Sequence, residues 1–102
     1  MITASTRKAR APLREGKVAD YLHEKAKFHG GEHRRVEWIG RSNAPDALIL
    51  LPGEHFYVEC KRPTTDASDG QGREHERMRA AGMRVYVART YAEVDALPWP
   101  KT

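Results

Sequence analysis

The first regular pattern along the chain is a stripe, apolar except for one lysine, that begins shortly after Glu15. Its members are spaced three and four residues apart and are Val18, Tyr21, Leu22, Lys25 and Ala26. This spacing predicts an amphipathic helix. The pair Gly30-Gly31 is expected to end it, because glycine is a poor helix former and a common helix stop.

The middle of the chain predicts three strands. Val36 to Ile39 is a short candidate for the first strand, and the apolar run from Ala47 to Leu51 predicts a second strand that is buried on both faces. Pro52-Gly53-Glu54 indicates a turn, so the segment from Phe56 to Lys61 is expected to return as the other arm of a hairpin.

The last third of the chain predicts two helices around a strand. A helix is expected from about Ser68 to Ala81, with Gly82 as its stop. Its stripe is thin and consists of Met78 and Ala81, below Gln71 and His75. Val85 to Ala88 predicts the strand, and the capping box Thr90-x-x-Glu93 opens a final short helix through Leu97.

The predicted elements follow the order α-β-β-β-α-β-α, which indicates an α/β fold with a mixed central sheet flanked by helices. At 102 residues the chain is expected to form one domain, over residues 15–102. Residues 1–14 contain four basic residues and no acidic one. This arm is expected either to lie along phosphates or to remain a solvated terminus.

Composition excludes several classes of protein. No stretch approaches the roughly 20 apolar residues that a membrane-spanning helix needs, and the first residues lack the apolar core of a secretory signal. The single cysteine, Cys60, excludes an internal disulfide framework and a multi-cysteine zinc site. We therefore expect a cytoplasmic protein with no membrane partner. The formal charge of +4 is only a mild bias toward polyanions.

Alternation along the third strand sorts its side chains onto two faces. One face carries Phe56, Val58 and Cys60, and the other carries Tyr57, Glu59 and Lys61. A glutamate and a lysine two residues apart are, by themselves, typical of a solvated face. Cys60 is expected to belong to the core.

Three features indicate chemistry at this hairpin instead. Asp46 begins the partner strand, so its carboxylate and that of Glu59 are expected to converge, and Gln71 opens a helix that must pack back on the sheet. Two carboxylates about 4 Å apart repel by about 4 kcal/mol at an effective dielectric constant of about 20. Such pairs are stabilised by a shared proton or by a hard cation. With Lys61 alongside, an oxygen-rich metal site suits phosphodiester hydrolysis.

These motifs resemble the PD-(D/E)xK nucleases and, more closely, the VRR-Nuc family. The resemblance is carried by Gly40-Arg41, by the run from Pro45-Asp46 to Gly53, by Val58-Glu59-Cys60-Lys61-Arg62-Pro63, by Gln71, by Glu74 to Met78 and by Gly82 to Val87. It covers residues 15–97 and implies a restriction-endonuclease-like core. The loop Arg41-Ser42-Asn43-Ala44 departs from the more usual glycine-containing version.

The resemblance implies roles for individual residues. Asp46, Glu59 and the backbone carbonyl of Cys60 would ligate Mg²⁺ or Mn²⁺, and Glu15 would reach the same site or simply favour the helix dipole. Lys61 would be the catalytic lysine, and Gln71 would hold that lysine or the attacking water. His75, one turn beyond Gln71, would either approach the site or pack. No nucleotide cofactor is expected, because Gly70-Gln71-Gly72 lacks the Lys-Ser/Thr of a phosphate-binding loop.

Basic residues flank the proposed site in sequence and are candidates for DNA binding. They are Arg34, Arg35, Arg41, Arg62, Arg73 and Arg77. They would position a duplex through its phosphates without reading bases, although ordinary surface charge explains them equally well.

The function predicted from the sequence is a metal-dependent DNA endonuclease. Stand-alone members of the family resemble phage-borne, junction-directed enzymes, which implies four-way junctions as substrate and a homodimer with two sites. The first helix and the tail around Trp99 are the expected interface. Two alternatives stay open: a catalytically silent DNA-binding module on the same fold, and an adaptor that binds another protein.

Overall fold

The computed structural model describes residues 15–41, 43–61 and 69–101. It contains seven elements in the predicted order α-β-β-β-α-β-α. They are α1 (Glu15–Phe28), β1 (Glu32–Arg35), β2 (Ala47–Leu51), β3 (Glu54–Cys60), α2 (Asp69–Ala80), β4 (Val85–Ala88) and α3 (Tyr91–Asp95). The basic arm over residues 1–14 lies outside the described residues.

The four strands form one sheet in the order β1-β2-β3-β4. β2 pairs antiparallel with both β1 and β3, whereas β3 pairs parallel with β4. The β2–β3 hairpin turns through Pro52 and Gly53, and the positive φ of 82° at Gly53 explains the glycine there. The predicted mixed sheet is confirmed.

The main core lies between one face of the sheet and the helices α1 and α3. The buried stripe of α1 is the predicted one, with Val18, Tyr21, Leu22 and Ala26 all inside the core. Opposite it lie the inward residues of β2 and β3, including Ile49, Phe56, Val58 and Cys60. Cys60 is therefore a core residue, as its place in the alternation predicts.

The first strand is not where the sequence predicted it. Val36 to Ile39 lies outside the sheet, and β1 is formed by the polar segment Glu32–Arg35. This segment is an edge strand, and most of its side chains are exposed. Because neither face of the strand is buried, its sequence does not alternate between apolar and polar residues. Its register is determined instead by backbone pairing with β2, which places Arg35 opposite Ala47.

Helix α2 covers the opposite face of the sheet and buries an unusual set of side chains. Glu74, His75 and Met78 are all buried, although only Met78 is apolar. Ala81, predicted to share the buried stripe, is exposed beyond the helix end, where Gly82 takes a φ of 94°. The apolar stripe predicted for this helix is thin because polar residues occupy most of its buried face.

The C-terminal tail packs on its own chain. The Trp99 indole N–H donates to the Val94 carbonyl at 2.7 Å, and its ring stacks on His29 with centroids 5.1 Å apart. The same ring meets Phe56 edge to face. Trp99 is therefore partly buried against the core at the end of α1. No helix in the described part of the chain has the length and apolar character needed to cross a membrane.

Gly31, between α1 and β1, is expected to tolerate no side chain. A Cβ placed there would lie 2.1 Å from the Leu50 carbonyl oxygen. Overpacking against backbone costs about 1–3 kcal/mol, so Gly31→Ala should lower the free energy of unfolding by at least that much in urea melts. The matched control is Gly72→Ala in α2, where an added Cβ would have no described atom within 4 Å apart from its chain neighbours and the backbone of its own helix. It should be neutral or gain about 0.5–1 kcal/mol. Equal effects at both positions would contradict the close approach.

The buried His75 predicts a pH-dependent stability. Burial is the main cause that lowers the pKa of its imidazole below 6.5, and the charges of Arg79 and Lys61 lower this pKa further while Glu74 opposes them. Its Nε2 has no hydrogen-bond partner among the described residues.

Because the pKa is lower in the folded state, protons bind the unfolded chain more tightly. The contribution of the neutral His75 imidazole to the free energy of unfolding is fully present above pH 6.5. It is lost as the pH falls through the folded-state pKa. We therefore expect His75→Gln to flatten the dependence of unfolding free energy on pH below 6.5, measured by urea melts. His55→Gln, at an exposed position, is the control. Identical slopes for wild type and His75→Gln would contradict this account.

Candidate active site

Three of the predicted site residues meet around one carboxylate. Glu59, next to the last residue of β3, is buried to 7% exposure beneath α2. The Gln71 side-chain amide donates to its Oε2 at 3.4 Å, and the Lys61 Nζ lies 4.0 Å from the same oxygen. Glu59 is thus not on a solvated face. Its burial is stabilised by a cation and an amide donor, as a buried charge requires.

Asp46 lies next to this group because of the strand register. Ala47 pairs with Val58, so Asp46 and Glu59 are the next residues on neighbouring strands. The Asp46 carbonyl accepts the Val36 N–H at 2.9 Å, which continues the β1–β2 ladder by one hydrogen bond. The register therefore places Asp46 and Glu59 at the same end of the hairpin.

Trp38 helps to determine where Asp46 lies. Its indole N–H donates to the Pro45 carbonyl at 2.7 Å, and its ring contacts that of Tyr57 with centroids 5.6 Å apart. The sequence places this residue only within the strand expected from Val36 to Ile39. A tryptophan shortly before a Pro-Asp pair was the available signal, but it does not specify the hydrogen bond.

A cavity of about 250 Å³ opens beside Asp46. Its lining residues come from α1 and from the neighbouring ends of β1, β2 and β3, and are Gly16, Ala19, His33, Arg35, Asp46, Ala47 and Cys60. Asp46 and Cys60 therefore line one cavity, whereas Glu59 is not among the described residues that line it. The backbone of Glu15 begins α1 next to Gly16, and its side chain lies outside the described residues.

His33 is a residue of this cavity that the sequence analysis missed. Burial is the main cause that lowers the pKa of its imidazole, and the nearby His23 and Arg35 lower it further, while Asp46 and Asp20 act in the opposite direction. The His23 and His33 rings lie 5.5 Å apart. No local pattern marks His33, because its strand lacks the alternation by which strands are recognised.

The donor set fits a hard divalent cation. The carboxylates of Asp46 and Glu59 and the carbonyl of Cys60 are oxygen donors, which Mg²⁺ and Mn²⁺ prefer. Among the side chains that the structure describes, no three of the types His, Cys, Asp and Glu cluster closely enough to hold a metal. Carboxylate and backbone oxygens together with water are a donor set typical of Mg²⁺.

The candidate DNA-binding arginines fall into three environments. Arg73 is exposed on α2, Arg34 is exposed and pairs with Glu32 at 2.8 Å, and Arg35 lines the cavity. Arg41 and Arg77 both form ion pairs with Glu74. Arg62 lies outside the described residues.

Comparison with known proteins agrees with this geometry. The chain is 36% identical over 76 residues to "Putative nuclease p44" of Acyrthosiphon pisum secondary endosymbiont phage 1, and the match covers 74% of this chain and 82% of that protein. A solved structure named "VRR_NUC domain" superposes with a TM-score of 0.75 at 41% identity, covering 81% of this chain and 91% of the other. No family model matches the sequence.

Both similarities exceed what a shared fold alone requires, and both extend over most of each partner. The structural match agrees with the mixed sheet of the fold. The chain belongs to the VRR-Nuc family.

Proposed function

We propose that this chain is a DNA nuclease that hydrolyses phosphodiester bonds with the help of Mg²⁺ or Mn²⁺. The observation that carries the proposal is the buried Glu59 carboxylate, held by Gln71 and Lys61 at the end of the hairpin where Asp46 enters. A protein that only binds DNA gains nothing from two carboxylates at a phosphate-facing site. Family membership supports the same reading.

The residues present suit the hydrolysis of a phosphodiester. In that reaction water adds to phosphorus, one P–O ester bond breaks, and the products are a phosphate monoester and an alcohol. A divalent cation would supply an acidified water and neutralise phosphate charge. Gln71 holds the Glu59 carboxylate in place, so that the carboxylate faces one direction without a reorganisation cost.

Lys61 is the residue we assign to the developing charge. Its ammonium group is partly buried next to Glu59, where a lower local dielectric strengthens its interaction with a phosphate oxygen. An ammonium is also a compact donor that can orient a water molecule. Asp46, exposed at the cavity, is the carboxylate that incoming substrate and solvent reach first.

We further propose that the substrate is branched DNA, such as a four-way junction, and that two copies of the chain act together. Symmetric cutting of a junction needs two sites related by a two-fold axis. The candidate interface is the aromatic group formed by Phe28, His29 and Trp99 at the end of α1. Phe28 is 49% exposed and contacts His29, which stacks on Trp99. An exposed phenylalanine next to packed aromatic rings suits the centre of a protein interface.

Substitutions at the site should abolish cleavage without abolishing DNA binding. We expect Asp46→Asn, Glu59→Gln and Lys61→Ala each to reduce the cleavage rate at least about a hundredfold, in the range found when one charge-stabilising group is lost. Single-turnover cleavage of labelled DNA measures the rate, and fluorescence anisotropy measures binding.

The control is Glu54→Gln, which makes the same chemical change in β3 at the other end of the hairpin. Thermal melts give a readout independent of activity. Mn²⁺ at a hundred times its Kd should stabilise wild type and Glu54→Gln by about 2.7 kcal/mol and should stabilise Asp46→Asn and Glu59→Gln less. Near-normal cleavage by Asp46→Asn would overturn the site. Binding without cleavage by wild type would favour a silent DNA-binding module, and absence of salt-dependent DNA binding would favour a protein-binding adaptor.

Branched substrate and dimerisation are tested together. We expect light scattering to give a dimer, and Phe28→Ser to shift it toward monomer while the fold melts normally, because Phe28 is largely outside the core. The dimer should cut four-way junctions faster than a linear duplex of the same sequence, and Phe28→Ser should lose that difference. Lys27→Ser, at the neighbouring exposed position of α1, is the control. A wild-type monomer that cuts both substrates equally would refute this part and leave the nuclease assignment intact.

A further inference from the structure

One buried carboxylate outside the proposed metal site holds two arginines. The Oε1 atom of Glu74 accepts from Arg77 Nη2 at 2.6 Å and from Arg77 Nε at 3.2 Å, and Arg41 Nη2 lies 3.2 Å from the same oxygen. Glu74 is buried, whereas the side chains of Arg41 and Arg77 are 52% and 57% exposed. We refer to these three residues as the Glu74 clamp.

The Glu74 clamp has a net positive charge, and its arginines are exposed at the protein surface. Two guanidinium groups share one carboxylate, so the group has a net charge of +1, and each guanidinium keeps donors that do not contact Glu74. The hydrogen bond from Arg77 is the main cause that lowers the pKa of Glu74; burial opposes it, and the charge of Arg41 lowers the pKa further. Glu74 therefore stays ionised at neutral pH, and both arginines are held in ordered positions.

The clamp joins the two segments that carry the candidate active site. Glu74 lies three residues after Gln71 on α2, and Gln71 holds Glu59. Arg41 belongs to the loop that leads to Asp46. The same loop approaches α2 at a second point, where a Cβ on Gly70 would lie 2.7 Å from the Asn43 side chain. The arginines are thus presented on the α2 side of the site.

We propose that Glu74 is a positioning residue that holds Arg41 and Arg77 ready to bind a backbone phosphate of the DNA substrate. The proposal rests on the proposed nuclease function and deepens it. A guanidinium binds phosphate through two parallel hydrogen bonds, and its long side chain loses rotamer freedom on binding. Glu74 reduces the rotamer freedom that is lost on binding, because it already orders both arginine side chains in the free protein.

The sign of a charge change separates this role from simple electrostatics. Removing an acidic residue near DNA should strengthen binding, because it removes repulsion from the phosphates. If Glu74 positions the two arginines, Glu74→Gln should weaken binding, although the protein becomes more positive by one charge. Glu76→Gln, at an exposed position two residues further along α2, makes the same change in net charge and serves as the control.

The experiment measures the affinity of the full chain for a duplex oligonucleotide by fluorescence anisotropy, at several salt concentrations and without divalent metal. We expect Arg41→Gln and Arg77→Gln each to weaken binding and to reduce the slope of log affinity against log salt by about 0.9. Glu74→Gln should weaken binding on the order of threefold to tenfold, the range for losing preorganisation of one or two side chains. Glu76→Gln should bind as tightly as wild type or slightly more tightly.

A triple substitution tests whether Glu74 acts through the two arginines. In a chain that already carries Arg41→Gln and Arg77→Gln, Glu74→Gln should cause no further weakening, because nothing remains for it to position. Should Glu74→Gln fail to fold, Arg77→Lys replaces it: the charge is kept and the two-point hydrogen bond to Glu74 is lost, so binding should still weaken severalfold.

Two results would overturn the proposal. One is a folded Glu74→Gln that binds at least as tightly as Glu76→Gln, which would make the clamp a purely structural link. The other is an unchanged affinity for Arg77→Lys. Wild type that shows no salt-dependent DNA binding would overturn the proposed function as well, which distinguishes that failure from one confined to the clamp.

Discussion

The pairing register of β2 and β3 sets both the core and the geometry of the candidate site. Ala47 opposite Val58 places Asp46 next to Glu59, and it also directs the apolar residues of both strands toward α1. Because side chains alternate across a sheet, a slip of one residue would send Phe56 and Val58 to the wrong face and separate the two carboxylates. The core therefore enforces the geometry of the site: burial of Phe56 and Ile49 stabilises the same register that the chemistry requires.

The two faces of the sheet bury different kinds of side chain. The α1 face is an apolar core, closed by α3 and by Trp99. The α2 face instead buries Glu59, Glu74 and His75, and burial of the two carboxylates is unfavourable unless a partner compensates each charge. Gln71 and Lys61 compensate Glu59, and two arginines compensate Glu74. Charge on this face is thus held in ordered positions, which is what binding and hydrolysis of a polyanion demand.

Local sequence signals predicted the order of elements correctly because that order depends on short-range rules. The stripe of α1, the apolar run of β2 and the turn at Pro52-Gly53 each have a periodicity or a backbone requirement that single residues report. The same rules placed Glu59 and Lys61 on one face and Cys60 on the other. They failed for β1, where an exposed edge strand of charged residues has no alternation to detect.

The sequence predicts the candidate site residues Asp46, the Glu59-Cys60-Lys61 segment and Gln71 from the hairpin motif. The contacts around them are visible in the fold alone, namely the hydrogen bond from Trp38 to Pro45, the place of His33 in the cavity, and the sharing of Glu74 by Arg41 and Arg77. The reason is the separation along the sequence of the residues that make these contacts. Periodicity reports whether a position is buried, but a hydrogen bond or ion pair between distant segments forms only when the whole sheet has brought those segments together.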